Sequence, residues 1–153
     1  MSDAENYREL IWLLRRTHGR FHDLFHAFLG ENDYRDLTPQ QAFLLYNLLD
    51  RVTTTGAARR NGYYIGTNIS HNVNKLEDAG YLSRKHDPAD GRSVLLSLTD
   101  KGREVAKLIA KELDRQAPMI VGNTTISAAD LETAKKALMH LERFWLDALA
   151  YRL

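Results

Sequence analysis

The stretch His86-Asp-Pro-Ala-Asp-Gly-Arg-Ser-Val-Leu-Leu-Ser-Leu-Thr-Asp-Lys-Gly102 constrains the fold of this chain more than any other. Two short arms, Tyr81 to His86 and Ser93 to Leu98, flank the turn-formers Asp87, Pro88, Asp90 and Gly91, a spacing that predicts a β-hairpin. Arg92 then sits at the tip of a two-stranded ribbon, and Thr99-Asp-Lys-Gly opens a new helix. A ribbon with a cationic tip points toward nucleic acid.

The pieces that precede the hairpin are helical. Residues 5 to 29 place Leu10, Leu13, Leu14, Phe21, Leu24, Phe25 and Phe28 at helical spacing, with Gly30-Glu-Asn-Asp as the exit. Thr38 caps a second helix with Pro39 in its first position, followed by Phe43, Leu44, Tyr46 and Leu48. Val52-Thr-Thr-Thr begins a short threonine-capped helix that ends at Asn61-Gly62, where a left-handed residue is easily supplied. Tyr63-Tyr-Ile-Gly66 forms the turn. From Thr67 to Ala79 a further helix buries Ile69, Val73 and Leu76 and ends at Gly80.

The outer surface of that helix carries Asn68, Ser70, His71, Asn72, Asn74 and Lys75. Asn and Ser compete with the helical backbone for hydrogen bonds, so a merely solvated face would more often use Glu, Lys and Ala. Short amides and hydroxyls suit base edges and phosphates in a major groove, which admits one helix. His71 can donate to a base or phosphate, or simply occupy an exposed position. Lys75, Arg84 and Lys85 suit phosphate contacts that position a protein without specifying sequence.

Charge supports this order of elements once it is divided along the chain. The formal net charge is +1, but residues 1 to 36 carry five Lys or Arg against seven acids, whereas residues 59 to 92 carry six against four. Local potential, not the total, governs nucleic-acid binding. A nonspecific architectural binder would be expected to carry more positive charge.

Val73-Asn-Lys-Leu76-Glu-Asp-Ala-Gly80-Tyr-Leu82, then Arg84, and above all Asp87-Pro-Ala-Asp90-Gly-Arg92-Ser93 running into Leu98-Thr-Asp-Lys-Gly102 resemble the MarR family of winged helix-turn-helix regulators, named for multiple antibiotic resistance. Residues 38 to 105 carry these motifs. Gly62-Tyr63-Tyr64-Ile65-Gly66-Thr67-Asn68 is similar to a subgroup that includes the PetP and LdtR regulators, and departs from the commoner continuous approach to the recognition helix. Tyr63 and Tyr64 could place a hydroxyl on phosphate, line a pocket, or hold the turn as half-buried aromatics.

The resemblance implies a mainly α fold with a small β-hairpin wing (α+β): a winged helix-turn-helix domain flanked by N- and C-terminal dimerisation helices. It divides the chain into a dimerisation arm over 1–36, a DNA-binding lobe over 37–100 and dimerisation helices over 101–153, within one structural domain. It implies a homodimer, a repressor of a pseudo-palindromic double-stranded DNA operator. In this arrangement Thr67, Asn68, Ser70, His71, Asn72, Asn74 and Lys75 lie in the major groove, Arg84 and Lys85 contact the backbone, and Arg92 enters the minor groove with Asp90 orienting it. Family members commonly respond to small aromatic compounds. Trp12, His18, His22, Tyr46, Tyr63 and Tyr64 are the candidate effector residues, between the lobe and the arms.

The helix begun at Thr99 is expected to end near Ala117, before Pro118. Ser127 to Asp130 starts a last helix whose Leu131, Ala134, Leu138, Leu141, Trp145 and Leu149 form an apolar stripe. That stripe needs a partner, and an intersubunit bundle with the first helix supplies one.

Other classes find little support. The 153 residues contain no cysteine, which excludes disulfides and thiol catalysis. There is no Gly-rich phosphate loop and no Ser, His and acid spacing, so no enzyme and no cofactor are expected. His18, His22 and His26 recur every fourth residue, but the row drifts around the helix and no metal is expected. No apolar run or leader points to a membrane, so the expected compartment is the cytoplasm. The competing reading is a winged-helix protein-interaction adaptor with a solvated basic stretch and no specific DNA binding.

Overall fold

A computed structural model of the protein describes residues 2–62, 68–88, 90 and 93–151. In chain order they form α1 (Asp3–Glu31), α2 (Pro39–Asn47), β1 (Thr53–Thr54), α3 (Thr55–Arg60), α4 (Ile69–Asp78), β2 (Leu82–His86), β3 (Val94–Leu98), α5 (Asp100–Asn123) and α6 (Ala128–Tyr151). The expected Tyr63–Gly66 turn, Thr67 and the Arg92 tip lie outside the described residues. The chain folds as two compact units, Met1–Ala110 and Lys111–Leu153, with α5 running through the division.

The first unit owns the core. Phe25 and Leu29 of α1, Ala42, Leu44 and Leu45 of α2, Ile69, Val73 and Leu76 of α4, Leu96 and Leu98 of β3, and Val105, Ala106 and Ile109 of α5 are all buried. Phe21, Phe25, Phe28, Phe43 and Tyr46 add a chain of tilted and edge-on ring contacts, with centroids 4.7 to 6.0 Å apart. Edge-on rings place the positive rim of one against the negative face of the next.

Local chemistry sets the element ends. Thr38 Oγ1 accepts from Gln41 N while Gln41 Oε1 accepts from Thr38 N, a full capping box with Pro39 behind it. Gly62 and Gly80 both adopt positive φ, 68° and 78°. At Gly80 the bonds Gly80 N to Glu77 O and Tyr81 N to Leu76 O close α4 with a Schellman motif. Ser127 and Asp130 cap α6 reciprocally, as their spacing implied.

Three expectations need correction. The sheet has three strands in the order β1-β3-β2, not two, because Thr53 and Thr54 pair with Leu96 and Leu95. Thr54 serves twice, as a strand residue and as the cap of α3 through Oγ1 to Ala57 N. Two residues are too few to show a β period, so only the cap was legible.

α1 passes straight through Gly30, and the left-handed exit residue is Asp33 at φ 65°. Burial of Leu29 holds the last turn in place, and Asn32 Nδ2 donates to the Phe28 carbonyl. α5 likewise continues past Ala117 to Asn123 with Pro118 inside it. A proline removes one interior N–H bond, but the turns on both sides persist, and Thr124 Oγ1 donates to the Ile120 carbonyl at the true end.

α6 is a different object. None of its residues is buried within the chain, and Leu131, Leu138, Phe144, Leu146 and Leu149 are exposed. Among the described residues no helix is long and apolar enough to cross a membrane.

Candidate nucleic-acid interface

α4 is held by its apolar side and by one amide. Ile69, Val73 and Leu76 are at most 5% exposed, while Asn68, Ser70, His71, Asn74 and Lys75 are open to solvent. Asn72 stands apart from these neighbours. It is half-buried, with Oδ1 accepting from Gln41 Nε2 at 2.9 Å and Nδ2 donating to the Asn68 carbonyl at 3.1 Å. Gln41, only 5% exposed, therefore closes the cap of α2 with its oxygen and clamps α4 with its nitrogen. The structure thus gives Asn72 a bond that fixes how α4 lies on α2.

β2 and β3 pair antiparallel from Leu82↔Leu98 to His86↔Val94 and carry the wing. Asp87 N donates to the Ser93 carbonyl, and Ser93 N to the Asp90 carbonyl, each at 2.9 Å. Ser93 Oγ donates to Asp90 Oδ2 at 2.7 Å, so the Asp90 carboxylate braces the turn. Lys85 is exposed on β2. Arg84 folds back onto α4, where Nε donates to Glu77 Oε2 at 2.6 Å and Nη2 to Asn74 Oδ1. This pairing joins two residues singled out from the sequence to a third, Glu77, that was not.

The wing's base rests on Tyr81, which is 1% exposed. Its hydroxyl donates to both oxygens of the Asp36 carboxylate, at 2.8 and 3.1 Å, and Lys101 Nζ lies 3.9 Å over its ring. Burial, then the Asp36 hydrogen bond and charge, push the phenol above its ordinary range, so it stays a donor. The Tyr81 carbonyl accepts from Thr99 N and Oγ1. A Cβ on Gly102 would lie 2.1 Å from that carbonyl oxygen, so only glycine lets α5 start so close. Tyr81 and Gly102 were legible as signature residues, whereas Gln41 and Asp36 were not singled out, and the partners of Gln41 and Asp36 lie far away in sequence.

The effector candidates fall into separate settings. Trp12 is exposed on α1 with the Arg16 guanidinium 4.1 Å over its ring, and His18 and His22 are exposed on the same helix. Tyr46 is half-buried against Phe43. Tyr63 and Tyr64 lie outside the described residues, as do Thr67 and Arg92. Among the described residues no group of three or more His, Asp or Glu side chains gathers where a metal ion could be held.

A helix held by its apolar side, a polar outer face and a braced wing form a winged helix. Residues 37–102 match the winged helix DNA-binding domain. The exopolysaccharide II synthesis transcriptional activator ExpG of Rhizobium meliloti is 30% identical over 148 residues, spanning 95% of this chain and 74% of its own. A MarR family transcriptional regulator from Silicibacter pomeroyi superposes with a TM-score of 0.73 at 23% identity, over 95% of each chain. This chain belongs to the MarR family.

It shares that family's fold with Streptococcus pneumoniae FabT, crystallised in complex with DNA, at a TM-score of 0.74 and 20% identity over 92% of this chain and 98% of FabT. The family and fold are those of transcriptional regulators, not of enzymes. This MarR-family chain is thus a DNA-binding transcriptional regulator.

Proposed function

We propose that the protein acts in the cytoplasm as a homodimer that reads a pseudo-palindromic operator. Each protomer lays α4 in a major groove and its wing, with Arg92, in the adjacent minor groove. The observation that carries this reading is the division of α4: its apolar residues are consumed by the core, and Ser70, His71, Asn74 and Lys75 remain outward. Asn68 stands at the start of that surface, Thr67 precedes it in the sequence as a further candidate, and Lys85 is assigned to phosphate. Asn72 and Arg84 contribute by fixing the helix and its amide. The outward apolar residues of α6, and separately those of α1, are the faces that a second copy covers.

A small aromatic ligand modulates this binding, with Tyr46 and the neighbouring Phe43 as its aromatic wall and Trp12, His18 and His22 as further candidates. Such a ligand acts by favouring a dimer whose two α4 helices no longer match successive grooves. Operator position sets the sense of control. Repression follows where the operator overlaps a promoter, and activation, as the name of the Rhizobium relative states for that protein, where it does not.

The test is to incubate the purified protein with sheared genomic DNA at near-physiological salt and sequence what it retains. A recovered palindrome with half-sites about one helical turn apart establishes the operator and its target genes. Enrichment no better than for unrelated DNA sinks the sequence-specific reading.

A further inference from the structure

Three side chains on α4 and β2 form a relay that ends at a carboxamide. Glu77 Oε2 accepts from Arg84 Nε at 2.6 Å, and Arg84 Nη2 donates to Asn74 Oδ1. Glu77 and Asn74 lie three residues apart on α4, a spacing that puts them on one face, and the guanidinium from β2 spans both. The ion pair is about two-thirds shielded, with side-chain exposures of 33% and 36%. Asn74 itself is open to solvent. Among the described residues nothing accepts from its Nδ2.

A free asparagine reads adenine by donating to N7 while accepting from the N6 amino group. With its carbonyl oxygen already accepting from a guanidinium, the carboxamide keeps one lone pair there and both Nδ2 hydrogens, so donation is the stronger offer it makes to the outside. Guanine, whose major-groove edge carries the two acceptors N7 and O6, is the base that matches a donor edge.

Resting on the reading of α4 as the DNA-contacting helix, we infer that Asn74 reads mainly through its Nδ2 donor and so favours guanine, and that Glu77, through Arg84, is the positioning residue that sets this preference. Glu77 does not touch DNA. It fixes which end of the Asn74 amide does, and it also draws the Arg84 charge away from phosphate.

The inference is tested by selection from a randomised duplex library at fixed salt, sequencing what is bound by the wild-type protein and three variants. The wild type enriches guanine at one position of each half-site. Asn74→Ala flattens that position alone, a loss of about tenfold in discrimination, and folds normally because alanine favours an exposed helical site. Glu77→Ala frees the amide and admits adenine there, whereas Glu77→Gln, which keeps an oxygen for the guanidinium, retains guanine. A melting curve for each variant separates these changes from loss of fold.

Adenine at the Asn74-dependent position of the wild type overturns the inference. So does equal weakening of all sequences by Asn74→Ala, which marks a phosphate contact. An unchanged preference in Glu77→Ala overturns the positioning role. If the wild type enriches no sequence at all, the DNA-reading assignment itself fails, and this inference with it.

Discussion

α4 and α6 are both amphipathic helices, yet the chain treats them in opposite ways. α4 has its three apolar residues at most 5% exposed and its polar face outward. α6 has more apolar residues and buries none of them, with Leu138 45% and Leu149 79% exposed. Apolar area left in water forfeits about 25 cal/mol per Å². The difference teaches that α4 finds its apolar cover within the chain, whereas α6, on the proposed homodimer, finds it on a second copy. Tertiary fit holds α4 in place and leaves its polar face outward. On that proposal the apolar stripe of α6 is one half of an interface.

The largest expected effect breaks the lobe side of that contrast. Gly102→Ala drives a Cβ to 2.1 Å from the Tyr81 carbonyl oxygen, against backbone that cannot rotate away. The junction of α5 with the wing must shift, with a loss on the order of 3 kcal/mol and a melting point lower by about 10 °C. The loss should be independent of protein concentration. A variant that melts within a degree or two of wild type would mean that the Tyr81–Gly102 approach is not under constraint.

Leu138→Lys probes the other side. A charge on the exposed stripe leaves the lobe intact, so far-UV dichroism of the variant at high dilution matches wild type. Light scattering at micromolar concentration then gives a monomer mass for the variant and a dimer mass for wild type, and wild-type melting rises with concentration where the variant's does not. Equal masses would remove the proposed role of α6.

What could be read from the sequence divides along the same line. Elements closed by neighbours were legible: Thr38-Pro39-Gln-Gln41, Asn61-Gly62, Ala79-Gly80 and Ser127 with Asp130 each carry their own cap or left-handed turn within four residues. So was the polar face of α4, because Asn and Ser there have no propensity reason to be helical. The bonds that aim the site were not. Gln41 to Asn72 spans 31 residues, Tyr81 to Asp36 spans 45, and Arg84 reaches back 10 to Asn74. No periodicity records which side chains a fold brings together over such separations. Pro118 failed in the opposite direction, since a strong local rule was outweighed by the helix around it.

Among the described residues the second unit holds one buried charge, and pH tests it. Glu112 is 8% exposed, with Arg115 Nε and Nη2 at 2.8 and 2.7 Å and Gln116 Nε2 at 2.7 Å. The Arg115 hydrogen bonds, then that of Gln116, hold the carboxyl down from 4.5 to about 2. A lowered folded-state pKa gives stability that is fully present above about 4.5 and lost as pH falls toward about 2. Glu112→Gln is therefore less stable than wild type at neutral pH, and the gap in denaturation midpoint narrows through that window. A gap that stays constant with pH would show that packing, not ionisation, is what the residue contributes.

The smallest effect sharpens the contrast without breaking either side. Asp33 takes φ 65° at the end of α1, where Asp33 N donates to the Gly30 carbonyl and Tyr34 N to that of Leu29. This is the Schellman position that glycine normally fills, and a side chain there crowds its own backbone. Asp33→Gly removes that strain but adds freedom to the unfolded chain, for a net gain of about 0.5 kcal/mol. Because the turn belongs wholly to the first unit, the gain should appear in denaturation of that unit and leave the dimer dissociation constant where it was. A matching shift in association would mean that the end of α1 and the dimer face are energetically one element, and that the lobe is less self-sufficient than its burial implies.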